Sequence, residues 1–175
     1  MPNTRISDFV IHVATVNGSG SQSSNNVLVR SLFRMGLPVG GKNLFPSNIQ
    51  GLPTWFTIRV HPQGFVSRKA KHDILVAMNP ATIKEDLRSL SAENGVFIYN
   101  SDIKFSEEDK PEGILCIPVP FRDLVSPVTE SVKLKKLLVN MAYVGVLAEL
   151  LQMDFHVIEQ TVKDQFEGKE DVISF

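Results

Sequence analysis

The sequence predicts a three-layer α/β domain, a mixed β-sheet flanked by helices. Three observations carry this. Apolar, β-branched runs of strand length alternate with segments that are apolar at helical spacing. The first run passes through a glycine-rich turn into a helical pattern. The last third is a long helical stretch, apolar over a broad face and therefore covered.

Asp8 to Val16 (DFVIHVATV) is the first buried strand, closed by Asn17-Gly18. Gly18 to Ser24 is a loop, and Asn25 or Asn26 is the expected cap of the next helix. In that helix Val27, Leu28, Ser31, Leu32 and Met35 fall on one face, and Gly36 follows as a C-terminal stop. Pro38 to Pro46 is an extended segment, and Ser47 to Pro53 is polar and turn-prone. Thr54 to His61 (TWFTIRVH) alternates as a strand; Pro62-Gln-Gly64 then turns, with Phe65 and Val66 starting a hairpin return. Asp73 to Met78 is another buried-type strand, and Asn79-Pro80 opens a helix over Ala81 to Leu90. Gly95 to Tyr99 and Ile114 to Val119 are two more strands. Pro118 consigns the second to an edge or a bend. A long helix around Val132 to Leu151 is expected to bury Leu138, Met141, Val144 and Leu147, and a second helix runs from His156 to Phe166.

Bulk properties narrow the function classes. The 175 residues suit one domain spanning 1–175. With 18 basic and 19 acidic residues the net charge is −1, so no strong field recruits nucleic acid or an anionic membrane. No apolar stretch approaches the ~20 residues of a membrane span, and Met1 to Asp8 lacks a signal-peptide core. A cytoplasmic protein is the expectation. The single cysteine, Cys116, lies in an apolar run expected to be buried; one thiol cannot hold an iron–sulfur cluster.

Chemistry-bearing motifs are few. Gly18-Ser-Gly20-Ser-Gln22-Ser23 has the first two glycines of a dinucleotide fingerprint, which permit a tight turn and close backbone approach to a phosphate. Its third position is serine, and Gly40, Gly41 and Lys42 stand where the ribose-binding acid belongs. The turn is thus a candidate for another phosphate or a pantetheine arm, or a structural turn only. His12, His61, His72 and His156 show no metal-ligand spacing, and no serine sits in a nucleophile elbow. No catalytic residue and no metal site is predicted.

One long segment is more specific: Lys42-Asn-Leu-Phe-Pro-Ser-Asn-Ile-Gln-Gly-Leu-Pro-Thr-Trp-Phe-Thr-Ile-Arg-Val60. It resembles the corresponding stretch of 2-oxoacid:ferredoxin (acceptor) oxidoreductase alpha subunits that carry a gamma-type N-terminal domain, particularly the 2-oxoglutarate type. Asp73 to Pro80, Pro118 to Phe121, Asn140 to Ala148 and Gln165 to Lys169 continue the resemblance along nearly the whole chain. The family's first turn has the pattern G-x-G-G-Q-G; here two of its glycines are Ser21 and Ser23, and Gln22 is kept.

The resemblance implies a complex that decarboxylates a 2-oxoacid on thiamine diphosphate and magnesium. It passes electrons through an iron–sulfur cluster to ferredoxin and leaves an acyl group on coenzyme A. It implies a pyruvate:ferredoxin oxidoreductase gamma-like fold, a remaining alpha domain and a beta subunit as partners, and none of those cofactors held by this chain alone. Gly18, Gly20 and Gln22 are then the cofactor-side candidates. Ser47, Asn48, Gln50 and Gly51, polar or small in the most family-specific loop, are candidates for the partner or coenzyme A surface. The chain alone is expected to be inactive and to be a domain excised from a longer subunit. The alternative is a free-standing binding or scaffold module for a phosphorylated ligand.

Overall fold

The computed structural model describes residues 8–46, 48–67 and 69–168; the candidate Ser47 lies outside them. Six strands form one sheet: β1 (Phe9–Val16), β2 (Val39–Leu44), β3 (Pro53–Val60), β4 (Ile74–Ala77), β5 (Val96–Asn100) and β6 (Leu115–Val119). Their order is β2-β3-β1-β4-β5-β6. β2, β3 and β1 pair antiparallel, and β1, β4, β5 and β6 run parallel. The sheet is mixed, as the sequence predicts.

Alternation along the strands sends side chains to two faces. On one face Ile11, Val13, Phe56, Ile58, Val76 and Ile98 form the larger core. It is covered by α1 (Ser21–Arg34), α4 (Val132–Leu150) and α5 (Phe155–Gln165), which contribute Leu28, Leu32, Val144, Leu147 and Ile158. On the other face Leu75, Ala77 and Phe97 pack under α2 (Ile83–Ser89) through Ile83 and Leu87. A short α3 (Phe121–Val125) follows β6 and packs beside α4. Helix, sheet and helix make three layers.

Several local expectations are corrected. α1 starts at Ser21, with Gly20 in the N-cap position at φ 88°, so neither Asn25 nor Asn26 is the cap. Asn26 accepts from Gln22 Nε2 one turn earlier at 3.1 Å, whereas Asn25 and Ser24 are inside the helix because their partners lie far along the chain. Asn25 accepts from the Tyr143 hydroxyl at 2.9 Å, and the Ser24 hydroxyl reaches Met141 Sδ at 3.2 Å. The extended segment 38–46 is a true edge strand, β2. Its glycines hide the strand signal, yet close contact requires them: a Cβ on Gly41 would lie 2.8 Å from the Phe56 ring. Phe65 and Val66 make no hairpin return; both are exposed outside any strand. The helix expected over 81–90 opens as a tight helical turn over Pro80–Thr82, capped by Asn79 Oδ1 on the Ala81 N–H at 3.0 Å. Cys116 is only half-buried because β6 is the sheet edge. Leu138 and Met141 are also half-buried, while Val144 and Leu147 are buried.

Candidate functional site

The connections after β1 and β4 leave to opposite faces: α1 joins the larger core and α2 the smaller one. Adjacent parallel strands whose connections diverge this way open a crevice at their carboxyl ends, a favoured place for ligands. Here it is a cavity of about 590 Å³. Its floor is Thr15 and Val16 of β1, Met78 after β4, and Asn100 at the end of β5. One wall is Asn17, Gly18 and Ser19 with Gln50 and Gly51. The other is built by α3 (Arg122, Val125), by Ser126 just after it, and by α4 (Val132, Lys135, Lys136, Val139, Asn140).

The two loops singled out in the sequence meet at this cavity. The Asn17 N–H donates to the Leu52 carbonyl at 2.8 Å, the Gly51 N–H to the Asn17 carbonyl at 2.9 Å, and Asn17 Nδ2 to the Ile49 carbonyl at 3.2 Å. Gly18, at φ 81°, needs to be glycine for space as well: a Cβ there would lie 2.7 Å from Gln50 Cγ. Gly18, Gln50 and Gly51 therefore belong to one wall. Gly20, Gln22 and Asn48 do not line the cavity. Gln22 is exposed and turned to β2, accepting from Asn43 Nδ2 at 2.6 Å. Asn48 is exposed on the β2–β3 loop.

Below the turn lies a buried polar seam. Thr15 and Ser21 hydroxyls are 2.9 Å apart, Asn140 Nδ2 donates to the Ser19 carbonyl at 2.8 Å, and Tyr143 holds Asn25. Complete burial pushes the Tyr143 phenol far above its ordinary value, so it stays a neutral donor. This seam fastens α4 across the beginning of α1.

Sequence reasoning missed Arg122, Lys135 and Lys136, three cations of the far wall. Lys133-Leu-Lys135-Lys136 is a short charge run, and a solvated face gives the same pattern. It also missed a polar cluster on the second face. Asp86, 2% exposed, accepts from Trp55 Nε1 at 2.8 Å and the Thr82 hydroxyl at 2.6 Å, and His12 Nε2 lies 4.0 Å away. Burial pushes the Asp86 carboxyl above its usual range despite these donors. The His12 ring stacks on His72 at 4.2 Å, and Thr57 bonds His12 Nδ1 at 3.1 Å. These bonds tie α2 to β1 and β3 across the sheet.

Of the described residues that line the cavity, none is Asp, Glu, His or Cys. The arrangement offers amides, hydroxyls and cations, which suit holding an anionic ligand rather than moving its protons. Among the described residues, no three His, Cys, Asp or Glu side chains gather to hold a metal ion. No helix among them is long and apolar enough to cross a membrane.

Comparison with known proteins decides the family. The family profile described as pyruvate ferredoxin/flavodoxin oxidoreductase matches residues 10–175. The chain belongs to this family. Solved structures share the oxidoreductase domain's fold. A 2-oxoglutarate:ferredoxin oxidoreductase from Magnetococcus marinus, solved with 2-oxoglutarate, coenzyme A and succinyl-CoA bound, superposes with a TM-score of 0.81 at 24% identity. The match covers 96% of this chain and 29% of that one. A pyruvate oxidoreductase subunit from Thermotoga maritima gives 0.74 at 19% identity, covering 96% and 90%. A keto/oxoacid ferredoxin oxidoreductase gamma subunit from Geobacter sulfurreducens gives 0.72 at 13%, covering 95% and 90%. The chain thus spans under a third of the Magnetococcus chain and about nine-tenths of the other two. A comparison with curated protein sequences gave no match.

Proposed function

We propose that this chain is the gamma-type domain on the coenzyme A side of a 2-oxoacid:ferredoxin oxidoreductase, acting with 2-oxoglutarate. The observation that carries the reading is the switch-point cavity, where both sequence-flagged loops meet a cationic wall. The oxoacid assignment rests on the Lys42 to Val60 resemblance and the likeness to the Magnetococcus enzyme. Thiamine diphosphate with magnesium would supply the decarboxylation and an iron–sulfur cluster the electron path to ferredoxin. Both belong, in this reading, to the remaining alpha domain and the beta subunit. This chain's residues bind and orient: Gly18 and Gly51 let the backbone approach, Gln50 presents an amide, and Lys135 and Lys136 hold negative charge.

The test uses the complete enzyme. Asn48→Ala and Gln50→Ala should raise KM for coenzyme A or weaken assembly, while this domain's own unfolding midpoint barely moves. If both variants assemble and turn over normally at limiting coenzyme A, the loop is structural and the site assignment fails. A substrate panel decides the oxoacid; faster turnover of pyruvate than of 2-oxoglutarate would refute that half. The purified chain alone, given thiamine diphosphate, coenzyme A and a dye acceptor, should not turn over 2-oxoglutarate.

A further inference from the structure

On the second face of the sheet α2 packs over Leu75, Ala77 and Phe97 of β4 and β5. At the other edge of the sheet a separate cavity of about 310 Å³ lies over β2 and β3. Strand register sets its floor. Gly40, Arg59 and Val10 form one row across β2, β3 and β1, and Lys42, Thr57 and His12 form the next. Lys42 and Arg59 are therefore diagonal neighbours on one face, within reach of each other for long side chains. The position of Val10 puts this cavity toward the amino end of β1, whereas the switch-point cavity lies at its carboxyl end.

Arg59 is only partly satisfied. Its side chain is 8% exposed, and its bonds all leave from one nitrogen, Nη1. They run to the Phe9 carbonyl at 3.2 Å, to the Val60 carbonyl and to the Asp8 carboxylate at 2.5 Å. Nε is buried with no hydrogen-bond partner among the described residues. A buried donor on a charged group is costly to leave unpaired, and the Nε–Nη2 edge is a fork that grips a carboxylate through two parallel bonds. Lys42, exposed at the rim, has no carboxylate within ion-pair distance among the described residues. Of the described residues lining the cavity, the two charged ones are these two cations, and none is Asp or Glu. Val10 and Val66 supply apolar lining. Gly40 lets Val66 close in, since a Cβ there would lie 2.8 Å from Val66 Cγ1.

We infer that this cavity binds a short-chain dicarboxylate: one carboxylate sits on the free edge of Arg59, the other faces Lys42, and the carbon chain between them lies on Val10 and Val66. The lining runs cation, apolar, cation, and a dicarboxylate is its complement. Phosphate fits it less well. The uncharged side-chain donor here is Thr57, whose hydroxyl is already shared with His12 Nδ1 at 3.1 Å, and a phosphate would set charged oxygens against the valines. Neither the site nor its ligand depends on the coenzyme A reading.

The test titrates the full chain with glutarate, acetate and inorganic phosphate by calorimetry, and follows backbone amide shifts during the glutarate titration. Glutarate should bind saturably, at least about tenfold more tightly than acetate or phosphate. The shifted amides should be those of Gly40, Gly41 and Val66, with Gly18 and Gly51 still. Lys42→Gln replaces an exposed side chain, so the unfolding midpoint should hold while glutarate binds at least about fivefold more weakly and acetate is unchanged. Arg59→Lys keeps the charge and removes the fork; where it folds, it should weaken glutarate and acetate alike, and where it does not, Lys42→Gln and the amide shifts decide. Absence of saturable glutarate binding overturns the proposal. Phosphate binding as tightly as glutarate overturns the dicarboxylate assignment. Shifts confined to Gly18 and Gly51, or glutarate affinity unchanged in Lys42→Gln, overturn the site.

Discussion

Single side chains carry two of the clearest expectations. Tyr143 is fully buried, and its hydroxyl is the donor that satisfies the buried Asn25 side chain at 2.9 Å. Tyr143→Phe should therefore cost about 1–3 kcal/mol, because an acceptor is left dry, and urea unfolding should show a lower midpoint with an unchanged slope. Asp8 gives a pH test. Hydrogen bonding from Lys69, then from Arg59, lowers its carboxyl to about 2. A depressed folded value means that the contribution is fully present above the unfolded value of about 3.9 and is lost as pH falls through about 2. Asp8→Asn should thus be less stable than the parent at neutral pH, and the two unfolding midpoints should converge between about pH 4 and pH 2. Residue roles were the least legible part of the sequence. Gly18, Gln50 and Gly51 could be flagged from composition and resemblance. Arg122 and Lys136 could not, because what makes them part of a site is the fold that brings α3 and α4 to the ends of β1 and β5.

At the scale of the element, α4 separates what periodicity shows from what it hides. Apolar residues surround much of this helix, so the sequence marks it as covered without telling which side is covered first. The core takes Val144, Leu147 and Ala148. Leu138 is half-buried and is not among the residues packed against either core cluster. Leu147→Ala should cost about 2–5 kcal/mol, and Leu138→Ala well under half of that, compared by chemical unfolding. Equal losses would mean that the Leu138 side of α4 is core after all. Strands β1, β3, β4, β5 and β6 were legible because buried β-branched runs have few other uses. Strand β2 was not, since two of its six residues are glycines, and only their neighbours in space explain them: a Cβ on Gly40 would meet Val66 and one on Gly41 the Phe56 ring. The start of α1 was misplaced for a related reason: Asn25 has the chemistry of a cap and the location of a core residue.

For the whole molecule, fold class and layer order followed from pattern, while the sheet order did not, because pairing depends on which edges meet in space. The β2–β3 loop exposes Phe45, Ile49 and Leu52, and Leu44 at the end of β2 is exposed beside it. Phe45→Ser with Ile49→Ser should leave the chain's own melting temperature within a degree or two and reduce its incorporation into the complete enzyme, measured by co-purification. Undiminished incorporation would remove this loop from the interface. The central position of β1 has a consequence in time. Its neighbours in the sheet are β3 and β4, so β1 leaves the ribosome before either and waits for residues 53–60 on one side and 74–77 on the other. Until then a segment apolar on both faces has nothing to pair with, and every pairing that secures it closes a long loop. Refolding should accordingly be slow for a chain of this size, in milliseconds to seconds rather than microseconds. Nascent chains halted before β3 should be held by chaperones or aggregate, whereas those that extend through α5, and so carry the helices that cover the larger core, acquire protease resistance.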